Sequence, residues 1–294
     1  MRYQEFPPPP GLAGLVDCLW LSDAPAAPVP APVPAPVSHR VLPDNCTDIL
    51  WQDSGDAFFV GMMSTWFDVP ATRRLRTVAV RFRPGAASLF VGSRPGQAPV
   101  ALASLTDERA DLDLLWGRAE ADRLGDALWS VARSDAERLA LLTEALYTRL
   151  ALALAAPGAR AAAALASRVE RNASANLAAA PAGQVLALRA VASLEASGGA
   201  LRVETLADSL GVSRQYLAAQ FRDHVGLSPK LFARICRFRS ARAAALASAS
   251  GQACQRGHDW ATLALDNGYF DQSHLIRDFQ DFTGASPDAH VRGQ

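Results

Sequence analysis

The chain has 294 residues, half of them apolar, enough to bury a sizeable core in one large domain or two ordinary ones. Its formal charge is zero and only one of its 29 basic residues, Lys230, is a lysine, so no bulk field draws it to a polyanion or a charged membrane. No apolar run approaches the roughly 20 residues of a membrane span, and the scattered cysteines Cys18, Cys46, Cys236 and Cys254 form no CxxC pair and follow no leader-like segment, which predicts free thiols in a reducing cytoplasm.

In chain order, residues 1–115 carry short runs rich in Val, Ile, Phe and Trp, broken by Gly, Pro and Asp: LVDCLWL, TDILWQD, AFFVG and RTVAVRF. These predict an antiparallel β-rich domain, with a cupin-like barrel as its closed form. An insertion at residues 24–38, APAAPVPAPVPAPVS, has prolines that remove backbone donors and fix φ. It is expected to be a polyproline-like surface loop, either a spacer or a ligand for a proline-binding partner.

Residues 116–183 read as a helical connector and an alanine-rich linker. Leu139, Leu142, Leu146, Leu150 and Leu154 recur every three or four residues and so share a helix face, and Ser134 with Glu137 has the spacing of a capping box. Two uses of that leucine stripe remain open, a two-helix dimer seam and packing against the β domain.

Residues 184–294 contain a repeat. With an offset of 58, Leu217, Phe221, Asp223, Gly226, Ser228 and Pro229 match Leu275, Phe279, Asp281, Gly284, Ser286 and Pro287; ahead of them, Ala207 and Gly211 match Ala264 and Gly268. A small residue where two helices cross, followed by a glycine for the sharp turn, is what a helix-turn-helix requires. Ser213 and Asp271 stand where each second helix begins and can cap its free amides. The helix predicted from Pro229 runs for about 20 residues, roughly 30 Å, close to the roughly 34 Å between successive major-groove faces of B-DNA. One rigid helix of that length can hold two probes in adjacent grooves.

LADSLGVSRQYLAAQF, the connecting RFRSA and ALDNGYFDQSHLIRDFQDFTGASP closely resemble the DNA-binding domain of AraC/XylS-type transcriptional regulators over about residues 185–290. RVLPDNCTDILW and VAVRFRPGAASLFVG are similar to an N-terminal domain of one branch of that family, with Asn45 where the branch usually shows glycine and with the proline run as an insertion. The resemblance implies an α+β protein whose all-α C-terminal domain has two helix-turn-helix units joined by a long helix. It implies sequence-specific binding of double-stranded operator DNA by a regulator that acts through an effector or through dimerisation.

Carried over position by position, the base-contacting residues implied are Arg214, Gln215, Ala218 and Ala219 in the first unit, and Gln272, Ser273, His274 and Arg277 in the second. Arginine can pair with guanine and glutamine with adenine, whereas the two alanines offer only apolar contact with thymine methyls. Phosphate contacts are expected from Arg222, Lys230 and Arg234, and on the connecting helix from Arg237, Arg239 and Arg242. Residues 201–294 carry eleven Arg or Lys against nine Asp or Glu, a balance of +2, so affinity must come from placement.

The histidines of this part, His224, His258, His274 and His290, have no HxxxH or HExxH spacing, and a tight turn accounts for Asp44, Cys46 and Asp48 near His39. No metal and no cofactor are expected. No nucleophile elbow, phosphate-binding loop or dinucleotide fingerprint appears, so the reading is not an enzyme. The rival is a cysteine that accepts alkyl groups, with Cys18 or Cys46 as nominee, and a second is a DNA-binding protein without an effector. Candidate partners beyond DNA are RNA polymerase, an unidentified small-molecule effector and a second copy of the chain; no membrane partner is expected.

Overall fold

The computed structural model describes residues 2–24, 38–70, 74–91, 100–154, 182–249 and 259–293. Nearly all of the proline-rich insertion, the alanine-rich linker and the segment holding Cys254, Arg256 and His258 lie outside the described residues.

Strands β1 (Arg2–Phe6), β2 (Val16–Ala24), β4 (Thr47–Gln52), β5 (Ala57–Val60), β7 (Leu75–Phe82) and β8 (Arg109–Asp111) form one antiparallel sheet in the order β1-β2-β7-β4-β5-β8. β3 (Ser38–Val41) and β6 (Phe67–Pro70) pair as a separate ribbon. As described, the large sheet is open, ending at β1 and β8. β4 alternates strictly, with Thr47, Ile49 and Trp51 buried, because successive side chains of a strand point to opposite faces. The buried face carries Leu19, Ile49, Trp51, Phe59, Val78, Val80 and Phe82.

That face is covered by short α1 (Ser88–Val91), α2 (Leu112–Trp116), α3 (Arg118–Trp129) and α4 (Asp135–Leu154). Leu142, Leu146 and Leu150 of α4 are completely buried in the sheet's core, so the leucine stripe packs on the β domain and these three are closed to a dimer seam. The capping box at its start is formed: the Ser134 amide donates to Glu137 Oε2 at 2.7 Å and the Glu137 amide to Ser134 Oγ at 3.3 Å.

Among the described residues, the regular elements of the C-terminal part are helices: α5 (Ala182–Ala196), α6 (Val203–Ser209), α7 (Arg214–Val225), α8 (Pro229–Ala249), α9 (Trp260–Asp266), α10 (Gln272–Thr283) and α11 (Pro287–Arg292). It has its own core, in which Leu217 and Phe221 of α7 and Leu275, Phe279 and Phe282 of α10 pack on the inner face of α8 through Phe232, Ile235 and Phe238. Met62, from the loop after β5, is buried in that second core. Both halves of the molecule are therefore joined through packed side chains.

Candidate DNA interface and its supports

The two helix-turn-helix units are built alike. In the first, Ala207 is fully buried, Gly211 has φ +70° and the Val212 amide returns to Ala207 O at 3.1 Å. In the second, Ala264 is fully buried, Gly268 has φ +76° and the Tyr269 amide returns to Ala264 O at 2.9 Å. A side chain with a Cβ is strained in this left-handed region, which is why glycine holds both turns. Ser213 Oγ accepts from the Tyr216 amide at 3.2 Å and Asp271 Oδ1 from the His274 amide at 2.8 Å, so both second helices have the caps expected of them. The His274 amide, and behind it the imidazole, hold the Asp271 carboxyl below its ordinary range. Left-handed Gly226 and Gly284 end α7 and α10, and Pro229 and Pro287 begin α8 and α11.

Each second helix is buried on one side and open at its N-terminal half. Arg214, Gln215 and Ala219 are exposed and Ala218 is half-buried; Gln272, Ser273, His274 and Arg277 are all exposed. Arg214 pairs with Glu204 at 2.7 Å, but both side chains are more than half exposed, and a surface pair of that kind is easily exchanged for another partner.

The six cations read as phosphate contacts divide in two. Arg222, Lys230 and Arg239 are exposed. The other three are engaged inside the protein. Arg234 donates to Asp278 Oδ1 at 2.6 and 3.0 Å and to Asp281 Oδ2 at 2.6 Å, tying α8 to the second recognition helix. Arg237 donates to Gly199 O and lies 5.7 Å from the Tyr269 ring, and Arg242 Nε lies 2.9 Å from His290 Nε2. These three therefore have partners within the domain, two carboxylates for Arg234, a backbone carbonyl for Arg237 and an imidazole for Arg242.

One exposed residue escaped the repeat alignment. The offset is 57 at the glycines and 58 at the leucines, so the second turn holds one extra residue, Phe270. Its side chain is 84% exposed, directly before the cap Asp271, with its ring edge-on to His274 at 6.1 Å.

The opposite, C-terminal ends of both recognition helices meet the N-terminal part. Thr106 Oγ1 donates to Gly226 O at 2.6 Å. Arg40 donates to Thr283 O at 3.0 Å and Thr65 Oγ1 to Asp281 O at 3.0 Å. These acceptors are carbonyls left without intrahelical partners at a helix end, where a cation such as Arg40 is also favoured by the helix dipole. The Arg40 guanidinium is stacked 3.6 Å from the Trp66 ring centre, and Trp66 itself lies against Gly284. On α8, the buried Asn45 donates through Nδ2 to Phe232 O at 3.2 Å and to Cys236 Sγ at 3.3 Å. Asn45 has φ +62°, a conformation asparagine tolerates better than most residues, so it makes the turn a glycine would and adds a side chain that reaches the other half. At the base of α7, His224 Nδ1 lies 3.4 Å from Ser88 Oγ, and Gln184 donates to Gly85 O.

Among the described residues, no group of three or more His, Cys, Asp and Glu is placed to hold a metal ion. Asp44 accepts from the Cys46 amide at 2.9 Å, and Asp48 accepts from Trp20 Nε1 at 2.8 Å and pairs with Arg81 at 3.3 Å. Burial pushes the Cys18 thiol up to about 12 and the Cys46 thiol well above its ordinary value; a thiol held protonated in this way is a poor nucleophile. No helix of the described residues is long and apolar enough to cross a membrane.

Comparison with known protein families agrees with the helix-turn-helix geometry. Residues 206–293 match a family described as a helix-turn-helix domain, and residues 4–98 match a domain of unknown function (DUF6597). No curated protein matches the chain. Among solved structures, the chain is similar to ToxT from Vibrio cholerae O395, with 9% identity over 92% of this chain and 95% of that one and a TM-score of 0.38. It is similar also to wild-type ToxT of V. cholerae strain SCE256 bound to an unsaturated fatty acid, with 9% identity, 92% and 93% coverage and a TM-score of 0.39. The C-terminal part is an AraC-type helix-turn-helix domain. The protein is a DNA-binding transcription regulator that joins this domain to an antiparallel β-sheet domain.

Proposed function

We propose that the protein reads operator DNA with the N-terminal halves of α7 and α10 lying in successive major grooves, carried on the rigid α8. The observation that carries this reading is the segregation of each recognition helix. Arg214, Gln215, Gln272, Ser273, His274 and Arg277 are exposed, while Leu217, Phe221, Leu275 and Phe279 of the same helices are fully buried. Arg277 and Arg214 suit guanine, and Gln215 and Gln272 suit adenine. Phe270 is added as an apolar contact beside His274. Arg222, Lys230 and Arg239 hold phosphates, and affinity falls as salt rises because bound counterions are released.

The second part of the proposal concerns control. Two cores, one spanning Leu12 to Leu150 and the other built mainly from Ala187 to Phe282, support a division into an N-terminal sensing or assembly unit and a C-terminal DNA-binding unit. The N-terminal unit grips the C-terminal ends of both recognition helices, so an effector or a second copy of the chain that shifts this grip changes which orientations the two probes adopt. Its influence equals its differential affinity for the two arrangements. RNA polymerase is the downstream partner in this reading and the cytoplasm its place; no catalytic step is assigned.

Sequencing the genomic fragments retained by the purified protein tests the first part. A bipartite motif is expected, and Arg277→Ala should lose on the order of 1–3 kcal/mol on the best site and relax selectivity at one position. Equal loss on every sequence would make Arg277 a phosphate contact instead.

A further inference from the structure

At its open, N-terminal end the second recognition helix carries an apolar ring that the core does not take up, and the repeat shows why. In the first unit Val212, directly after the turn glycine, sends its amide back to Ala207 O and packs against the C-terminal core, and the cap Ser213 follows at once. In the second unit Tyr269 does both jobs: its amide returns to Ala264 O and its ring is buried in the same core. Phe270 stands between that residue and the cap Asp271. With Tyr269 filling the packing position, Phe270 is left 84% exposed.

Its surroundings are ordered. Asp271 Oδ1 accepts from the His274 amide at 2.8 Å, and His274 Nδ1 lies 3.1 Å from the same oxygen. The imidazole is thereby held against the helix start, and the Phe270 ring stands edge-on to it, centres 6.1 Å apart. Gln272, Ser273 and His274, exposed on the same end of the helix, have polar groups that suit base edges. Phe270 has none. Of the four bases only thymine offers an apolar group, its C5-methyl, on the major-groove edge, so a bare aromatic ring placed there distinguishes bases by that methyl alone.

We propose that Phe270 reads the C5-methyl of one thymine and so specifies an A·T pair beside the bases met by His274 and Arg277. Arg277 lies seven residues further on, about 10 Å at the rise of a helix, or roughly three base-pair steps. The preference belongs to the second half-site only, because the first unit has no inserted residue between Val212 and Ser213. This deepens the reading of α10 as a base-contacting helix and rests on it.

The test uses the full chain and an operator fragment that it retains, with affinity followed by fluorescence anisotropy. Each thymine within about three base pairs of the position where Arg277→Ala relaxes selectivity is replaced in turn by deoxyuridine, which lacks only the methyl. At one position the wild-type protein should bind about fourfold more weakly, as expected for one buried methyl group. Phe270→Ala should lose about as much on the thymine operator and then be indifferent to the same replacement, so that the two changes do not multiply. Its unfolding midpoint should equal that of the wild type, since the side chain is exposed. Phe270→Ala binding as tightly as the wild type would leave the ring to a protein partner. Equal loss on thymine and deoxyuridine operators would make it a sugar contact or a wedge between bases. Either result, or no thymine in that range whose methyl matters, would overturn the proposal. Arg277→Ala on the same fragments separates the two readings: if it relaxes selectivity while Phe270 shows no coupling to a methyl, only this proposal falls, whereas binding indifferent to both residues ends both.

Discussion

Two left-handed glycines, Gly211 and Gly284, give a controlled measure of how firmly the N-terminal part grips the recognition helices. Gly211 and Gly284 have nearly equal φ, +70° and +71°, but different surroundings: a Cβ on Gly211 meets nothing within 4 Å, whereas on Gly284 it meets Cε2 and Nε1 of Trp66 at 2.9 Å. Gly211→Ala therefore isolates the left-handed penalty, about 1–2 kcal/mol. Gly284→Ala carries the same penalty and also drives the indole back, because carbon contacts settle at about 3.5–4.0 Å. Retreat of Trp66 disturbs the stacked Arg40 and its bond to Thr283 O, adding about 1–3 kcal/mol as overpacking typically does. Urea unfolding of the full chain followed by circular dichroism reads both variants. In a Trp66→Ala background, the cost of Gly284→Ala should fall back to that of Gly211→Ala. If Gly284→Ala costs no more than Gly211→Ala in the native background, Trp66 is not seated on the second recognition helix and the grip described here is wrong.

Other expectations follow from single contacts. Asp271→Ala removes the cap of α10 and should cost about 1 kcal/mol in unfolding free energy, with Asp271→Ser recovering most of it. Asn45→Gly keeps the left-handed turn but takes away a buried donor to Phe232 O; a loss of about 1–2 kcal/mol is expected in the same assay. Burial holds the imidazole of His224 below its ordinary value of 6.5, so as pH falls the unfolded chain takes up this proton first. Stability from this group is complete above about pH 6.5 and declines below it, and His224→Gln should flatten that decline in unfolding midpoints collected between pH 7 and pH 5.

The repeat was legible because its determinants are local. A small residue, a glycine four positions later, a capping Ser or Asp and a closing Gly-x-Ser-Pro each act within one or two turns of chain, and Ala207, Gly211, Ser213, Gly226 and Pro229 all occupy the places their spacing required. The runs that became β2, β4, β5 and β7 were legible through their apolar content, whereas β1, β3 and β8 are short and largely polar, and β6, Phe67–Pro70, is only four residues ending in a proline. Long-range chemistry was hidden. Arg234 reads locally as a helix-surface cation, yet its partners Asp278 and Asp281 lie 44 and 47 residues away. Arg40, Met62 and Trp66 look like ordinary loop and strand residues, and only the folded chain brings them to Thr283, the second core and Gly284. Phe270 could have been found beforehand, since the change of offset from 57 to 58 announces one extra residue in the second turn.

Hydroxyl-radical footprinting on a retained operator, with the full-length protein, addresses the two-groove arrangement most directly. Two protected patches are expected on one side of the duplex, their centres about 10–10.5 base pairs apart, with Arg214→Ala weakening one patch and Arg277→Ala the other. A single patch, or two patches on opposite sides of the duplex, would contradict the account.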